Sequence, residues 1–232
     1  MQGPSRPAED RGDAAPQIDQ ERAADRTKRS LDRFVNFSDA VFAIAITLLV
    51  LDIRLPAIDA TAIRPALGAQ LPELMPNLYA FMLSFAVIGG YWVSHHRFFR
   101  AVDRSDARLI WLNLVVLFFV VLLPFPTQVV AEYGDTTLGV EIYAGAMTLT
   151  GLSILALKAY AFRAHLTAPE ANRSGSMIRS WITPLVFALS MVVAVWSPIW
   201  ATRMWFLAAL AFFVVDPIIN SDWGRLVIRN EG

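Results

Sequence analysis

Six runs of predominantly apolar residues, each near the length of a bilayer-crossing helix, constrain this chain more than any other feature. They lie at 34–53, 74–94, 109–130, 138–159, 181–198 and 204–219. About 20 consecutive apolar residues span the hydrocarbon core as a helix. Lipid offers no partner to an unpaired backbone group, so each run is expected to be helical. The strands of an outer-membrane barrel would be about 10 residues long and alternating, which excludes that architecture. Charged residues make up 17% of the chain and hydrophobic ones 56%, where a soluble domain is about 25% charged. The expected fold is all-α, a polytopic integral membrane protein with six transmembrane helices over residues 30–221.

The flanks differ. Residues 1–29 are rich in Arg, Asp, Glu, Ala and Pro and contain no apolar run. They cannot bury enough surface to fold alone, which predicts a disordered cytoplasmic tail. No apolar segment follows a short basic start, so the tail is not a signal peptide. Residues 222–232 form a second, short cytoplasmic tail. With 20 Lys+Arg against 20 Asp+Glu the net charge is zero, and the basic excess of a nucleic-acid binder is missing. The absence of cysteine excludes disulfides, thiolate catalysis and cysteine metal sites. Three histidines leave little for a histidine cage, and neither a metal nor any other cofactor is expected.

The basic residues set a direction. Arg26, Lys28, Arg29 and Arg33 precede the first run, and Arg97, Arg100, Arg104 and Arg108 join the second to the third. Lys158, Arg163, Arg173 and Arg179 lie around the fourth and fifth, and Arg225 and Arg229 follow the sixth. The opposite side carries Arg54, Arg64 and Arg203. Fourteen against three predicts that both termini are cytoplasmic.

Asp39 stands at the cytoplasmic entry of the first run, within Arg33-Phe34-Val35-Asn36-Phe37-Ser38-Asp39. An acid at the edge of the hydrocarbon is costly unless it is paired or faces water. Arg33 and Asp39 are six apart and occupy different helix faces. Each is therefore expected to find a partner on a neighbouring helix, with His95, His96 and Asn113 at the same depth. A simpler reading makes Ser38 or Asp39 a helix cap. Adjacent histidines point about 100° apart on a helix, so His95 and His96 do not share a ligand easily.

Arg-x-x-x-Phe-Ser-Asp, carried by Arg33, Phe37, Ser38 and Asp39, resembles the signature of the transmembrane protein 175 family of potassium channels. The likeness continues through Ala43–Leu49, Tyr91–Phe98, Trp111–Asn113 and Leu122–Thr127. It covers the first half of the chain, while the later runs match only in number and hydrophobicity. The resemblance implies a potassium-selective channel, potassium as permeant ion, and a homotetramer of six-helix subunits in the cell membrane. The family's two-repeat animal members are lysosomal and endosomal.

The chain lacks Thr-Val-Gly-Tyr-Gly, so selectivity is expected from a hydrophobic constriction or side-chain oxygens. Ile44, Thr47, Leu48 and Leu51 recur at i, i+3, i+4 and i+7 and share one helical face. By resemblance the pore-lining positions fall on Ile44, Thr47 and Leu51, with Leu48 on the same side. The pore is then made by the first helix across subunits. Read from spacing alone, the stripe is ordinary packing or lipid contact.

Two other classes compete. A secondary transporter of a small ion or metabolite usually holds charges near mid-membrane, and the middles of these runs hold none. An intramembrane enzyme would draw on Asp39, His95 and His96. These lie at one edge without the nucleophile, base and orienting group that catalysis requires.

Overall fold

The computed structural model describes residues 14–53, 63–169 and 173–210. The described residues form seven α-helices: α1 (Ala14–Leu48), α2 (Ile63–Phe99), α3 (Ala107–Leu122), α4 (Pro124–Tyr133), α5 (Thr137–Arg163), α6 (Arg173–Ala194) and α7 (Pro198–Leu210). Among the described residues there is no strand, only an isolated antiparallel bridge between Val102 and Thr167. Among the described residues five stretches are long and apolar enough to cross a membrane: Arg29–Leu51, Leu74–Phe99, Ala107–Tyr133, Thr137–Arg163 and Gly175–Ala194. The chain is thus an all-α polytopic membrane protein. The sixth expected span starts in α7, and its remainder lies outside the described residues.

Several boundaries differ from the sequence reading, each for a local reason. Helix α1 begins at Ala14, so the stretch expected to be disordered is helical from there. Its Ala, Gln, Glu, Arg and Lys are strong helix formers, and they extend a helix already nucleated by the apolar span. Residues 1–13 and the C-terminal tail lie outside the described residues. The third span is two helices, because Pro124 has no N–H for the Val120 carbonyl. Leu123 N–H donates to that carbonyl instead, at 3.2 Å, and Pro124 opens α4 where a missing donor costs nothing. The fifth span starts at Gly175 rather than 181, which puts Pro184 inside α6.

Helix α5 is central and packs against α3, α4 and α6, whereas α1 lies against α2 and α3. Half of the α5 window is buried and only 22% of the α1 window. In a bilayer the hydrophobic effect does not drive helix against helix, so close packing and polar contacts must. Gly151 of α5 shows the first. A Cβ built there would lie 3.0 Å from the Pro184 ring, so only glycine lets α6 approach this closely. Tyr143, Phe187 and Trp205 show the same packing in aromatic form, with the Tyr143 and Trp205 ring centroids 4.7 Å apart.

Asp106 caps α3, its Oδ1 accepting from Leu109 N–H at 2.7 Å. Its other oxygen accepts a short hydrogen bond from the Tyr160 hydroxyl of α5. Helix α5 ends with His165 in the left-handed region at φ 53°, and Leu166 N–H closes on the Ala161 carbonyl at 3.0 Å. That is the usual helix-ending loop, with His in the place glycine prefers. The turned chain pairs with the α2–α3 loop through Asp103 N–H to Leu166 O at 2.9 Å and Ala168 N–H to Ala101 O at 2.9 Å.

Candidate functional site

Two features of α1 define the site: a polar cluster near its first transmembrane turns and an exposed apolar stripe beyond it. The cluster forms because α1 enters, α2 leaves and α3 begins at one end of the bundle. Asp39 Oδ1 accepts from Trp92 Nε1 at 2.9 Å. Its Oδ2 lies 3.3 Å from His96 Nδ1. Trp92 and His96 are four apart on α2, so both present to the same carboxylate. Deeper in, Ser38, His95 and Asn113 are fully buried. Asn113 Nδ2 donates to Ser38 Oγ at 2.8 Å, and Ser38 donates to the Phe34 carbonyl at 3.1 Å.

That order fixes the histidine. Asn113 uses its amide nitrogen on Ser38, so its Oδ1 faces His95 Nε2 at 2.6 Å. His95 must then carry its proton on Nε2. Its Nδ1 is left buried without a partner within the chain. The ring is wedged between Phe42 and Phe99, with centroids at 5.3 and 4.6 Å. The two histidines thus serve different partners, His96 the acid and His95 the amide. Arg33 and Phe37 are exposed, and neither joins this network. Arg33 makes no hydrogen bond or ion pair with the cluster among the described residues.

The stripe lies on the other side of α1. Ile44 is 57% exposed and Leu51 65%, with Leu48 and Thr47 exposed between them. Phe42, Ala45 and Leu49, on the opposite face, are buried. Thr47 Oγ1 donates to the Ile44 carbonyl at 2.9 Å, which leaves its oxygen lone pairs facing outward. The α-helix ends at Leu48, and Leu49–Asp52 is a 3-10 turn. Three residues per turn place Leu48 and Leu51 directly in line. With a rise of about 1.5 Å per α residue and 2.0 Å per 3-10 residue, Ile44 and Leu51 stand about 12 Å apart along the axis.

Two polar constructions escaped the sequence reading. Lys158, counted there among the loop cations, is buried on α5. Its Nζ donates to Ser94 Oγ and Ser180 Oγ, both at 2.8 Å, and lies 5.7 Å from the Phe98 ring. It therefore binds α2, α5 and α6 together and leaves the count of surface charges. In mid-bundle, Ser84 lies 2.9 Å from both Thr127 Oγ1 and the Tyr143 hydroxyl, and Thr127 donates to the Leu123 carbonyl at 2.9 Å. One proton per hydroxyl gives the order Tyr143 to Ser84 to Thr127 to carbonyl, which satisfies all three. Isolated hydroxyls in apolar runs were the only trace of this chain in the sequence, and they carry no partner information.

This arrangement has known relatives. The family model described as "Endosomal/lysosomal potassium channel TMEM175" matches residues 33–124, from the start of the Arg33–Asp39 motif to the proline that divides the third span. A potassium channel of Streptomyces collinus is 44% identical over 135 residues, 56% of this chain and 62% of that protein. The chain therefore spans less than two thirds of that relative. A potassium channel of Chamaesiphon minutus is 39% identical over 61% of this chain and 71% of its own length. The crystal structure of a lysosomal potassium-selective channel TMEM175 homolog from Chamaesiphon minutus superposes with a TM-score of 0.69 at 30% identity. That match covers 79% of this chain and 96% of the other. Sequence and fold agree along most of the relative's length, and the chain belongs to the TMEM175 family of potassium channels.

Proposed function

We propose that this protein conducts potassium ions passively through a pore lined by the α1 stripes of four identical subunits. The observation that carries this reading is the division of α1 into two faces. One is locked by Ser38 to Asn113 and by Asp39 to Trp92 and His96. The other leaves Ile44, Thr47, Leu48 and Leu51 exposed among the described residues. A single α1 cannot enclose an ion path, and identical chains close most simply around a symmetry axis. Both termini face the cytoplasm of a cell-membrane protein. The loop charges favour that direction even with Lys158 removed from the count.

In such an assembly four Ile44 side chains form a dry ring, and Leu51 forms a second about 12 Å away. An ion passing a dry ring sheds part of its hydration. Potassium gives up water more readily than sodium, so the ring favours potassium without a carbonyl cage. Thr47 lies between the rings and offers a hydroxyl oxygen to the partly dehydrated ion. The test is the reversal potential of the reconstituted protein under bi-ionic potassium and sodium conditions. Ile44→Asn should raise current and bring the two permeabilities together. Thr47→Ala should lower selectivity with a smaller change in current. Parent-like reversal potentials in both variants would assign the stripe to packing.

A further inference from the structure

At the end of the bundle opposite the Asp39 cluster, a cleft of about 110 Å³ opens between the end of the first span, α2 and α4. Its polar lining is Asn77 of α2 with Thr127, Gln128 and Glu132 of α4. Leu49 and Phe81 contribute to an apolar wall. Thr127 already donates to the Leu123 carbonyl and meets Ser84. Asn77, Gln128 and Glu132 form no hydrogen bond or ion pair with other described residues. One carboxylate and two side-chain amides therefore line one cavity with their hydrogen-bonding capacity unused inside the protein.

The donor set selects the ligand class. Calcium takes 6–8 oxygens and magnesium a near-ideal octahedron, more than this lining supplies. A primary ammonium needs three acceptors, and one carboxylate with two amide carbonyls makes three. The single negative charge matches a single positive one, and the rest of the wall is apolar, suited to a short alkyl body rather than a bare ion. The volume admits a small molecule but not a large one, since one water-sized probe occupies about 10–15 Å³ on a comparable measure. We propose that this cleft binds a small primary alkylammonium. Its nitrogen donates to Glu132, Asn77 and Gln128, and its alkyl chain lies against Ile53 and Phe81. The site is separate from the stripe, since Leu49 is on the buried side of the first span, and binding does not depend on conduction.

The test is isothermal titration of the full chain in detergent with n-propylammonium chloride at constant ionic strength. Saturable binding is expected, with none for n-propanol, which lacks the charge, or for tetramethylammonium, which lacks N–H donors. Glu132→Gln should weaken binding at least about tenfold, the loss of a charge-assisted hydrogen bond. Gln128→Leu should weaken it severalfold, and Glu141→Gln, a carboxylate outside the cleft, should leave it unchanged. Glu132 is exposed at the cleft mouth, so its variant should fold like the parent. Absence of saturable binding would overturn the proposal. So would equal affinity in Glu132→Gln, or equal weakening by Glu141→Gln.

Discussion

Replacing Asn113 by Leu tests whether α1 is held by directional contacts or by general packing. Leu keeps the branched outline of Asn but is larger, so the change is chemical first and steric second at this buried site. Two hydrogen bonds go, one to Ser38 and one to His95. Ser38 keeps its bond to the Phe34 carbonyl, so its share of the loss is about 0.6 kcal/mol, the average for interhelical hydrogen bonds in a bilayer. His95 loses more. Its Nδ1 is already without a partner, and Nε2–H becomes a second unsatisfied buried group, costing about 1–3 kcal/mol. The single variant should lose about 2–4 kcal/mol. His95→Phe alone strands the Asn113 carbonyl oxygen and should cost about 1–3 kcal/mol. The double variant strands neither group, because an apolar pair can replace a polar pair at little cost. The mutant cycle should therefore close with a favourable coupling of about 2–6 kcal/mol, since each single variant strands a group that the double variant does not. Reversible unfolding in mixed micelles, followed by tryptophan fluorescence, supplies the four free energies. Additivity within about 0.5 kcal/mol would show that the His95–Asn113 bond between α2 and α3 holds nothing, and Asn113 would not be positioned against α1 in the way described.

Two further outcomes follow from packing and direction. Gly151→Ala should cost about 1–3 kcal/mol by overpacking, because the new Cβ meets a rigid proline ring at 3.0 Å; loss of stability in the same micelle assay checks it, and a neutral result would mean that α6 can slide. The chain has no cysteine, so a single Asp135→Cys variant, at an exposed position between α4 and α5, reads topology without background, and it should be labelled by an impermeant thiol reagent from outside the cell only.

The spans were legible in the sequence because hydropathy over about 20 residues is a local property. The polar edge of the site was legible too, since an acid at the start of an apolar run demands a partner. Which partner it takes was not. Trp92 reads in sequence as an interfacial aromatic, yet its indole N–H goes to Asp39, and only the rotation of α2 against α1 decides this. Lys158 at the end of an apolar run looks like a loop cation, and its burial depends on Ser94 and Ser180 arriving from two other helices. The 3-10 turn at Leu49–Asp52 left no pattern either, because Leu49, Val50 and Leu51 are as apolar as the helix before them.

The bracing of α1 continues beyond Asn113, and Asp106 tests how far. Asp106 caps the helix that carries Asn113 and also takes the Tyr160 hydroxyl of α5, so it ties the central helix to the one that holds α1. The Tyr160 bond, with the Leu109 N–H behind it, holds the Asp106 carboxyl below its ordinary value. A depressed carboxyl contributes stability above its unfolded pKa and loses it as pH falls through the folded one. The tie should therefore be constant from pH 5 upward and weaken only below the ordinary carboxylate range. Tyr160→Phe keeps the cap and removes the cross-link, so its effect on stability should be smaller than that of Asp106→Ala, which removes both. Tyr160→Phe should also raise the Asp106 pKa, seen as a shift of the acid limb of the melting profile to higher pH. If the acid limb stays in place in Tyr160→Phe, or Asp106→Ala melts like the parent at pH 7, the connection from α5 through α3 to α1 is absent. The contacts of Ser38 with Asn113 and of Asp39 with Trp92 and His96 would then hold α1 without support from α5.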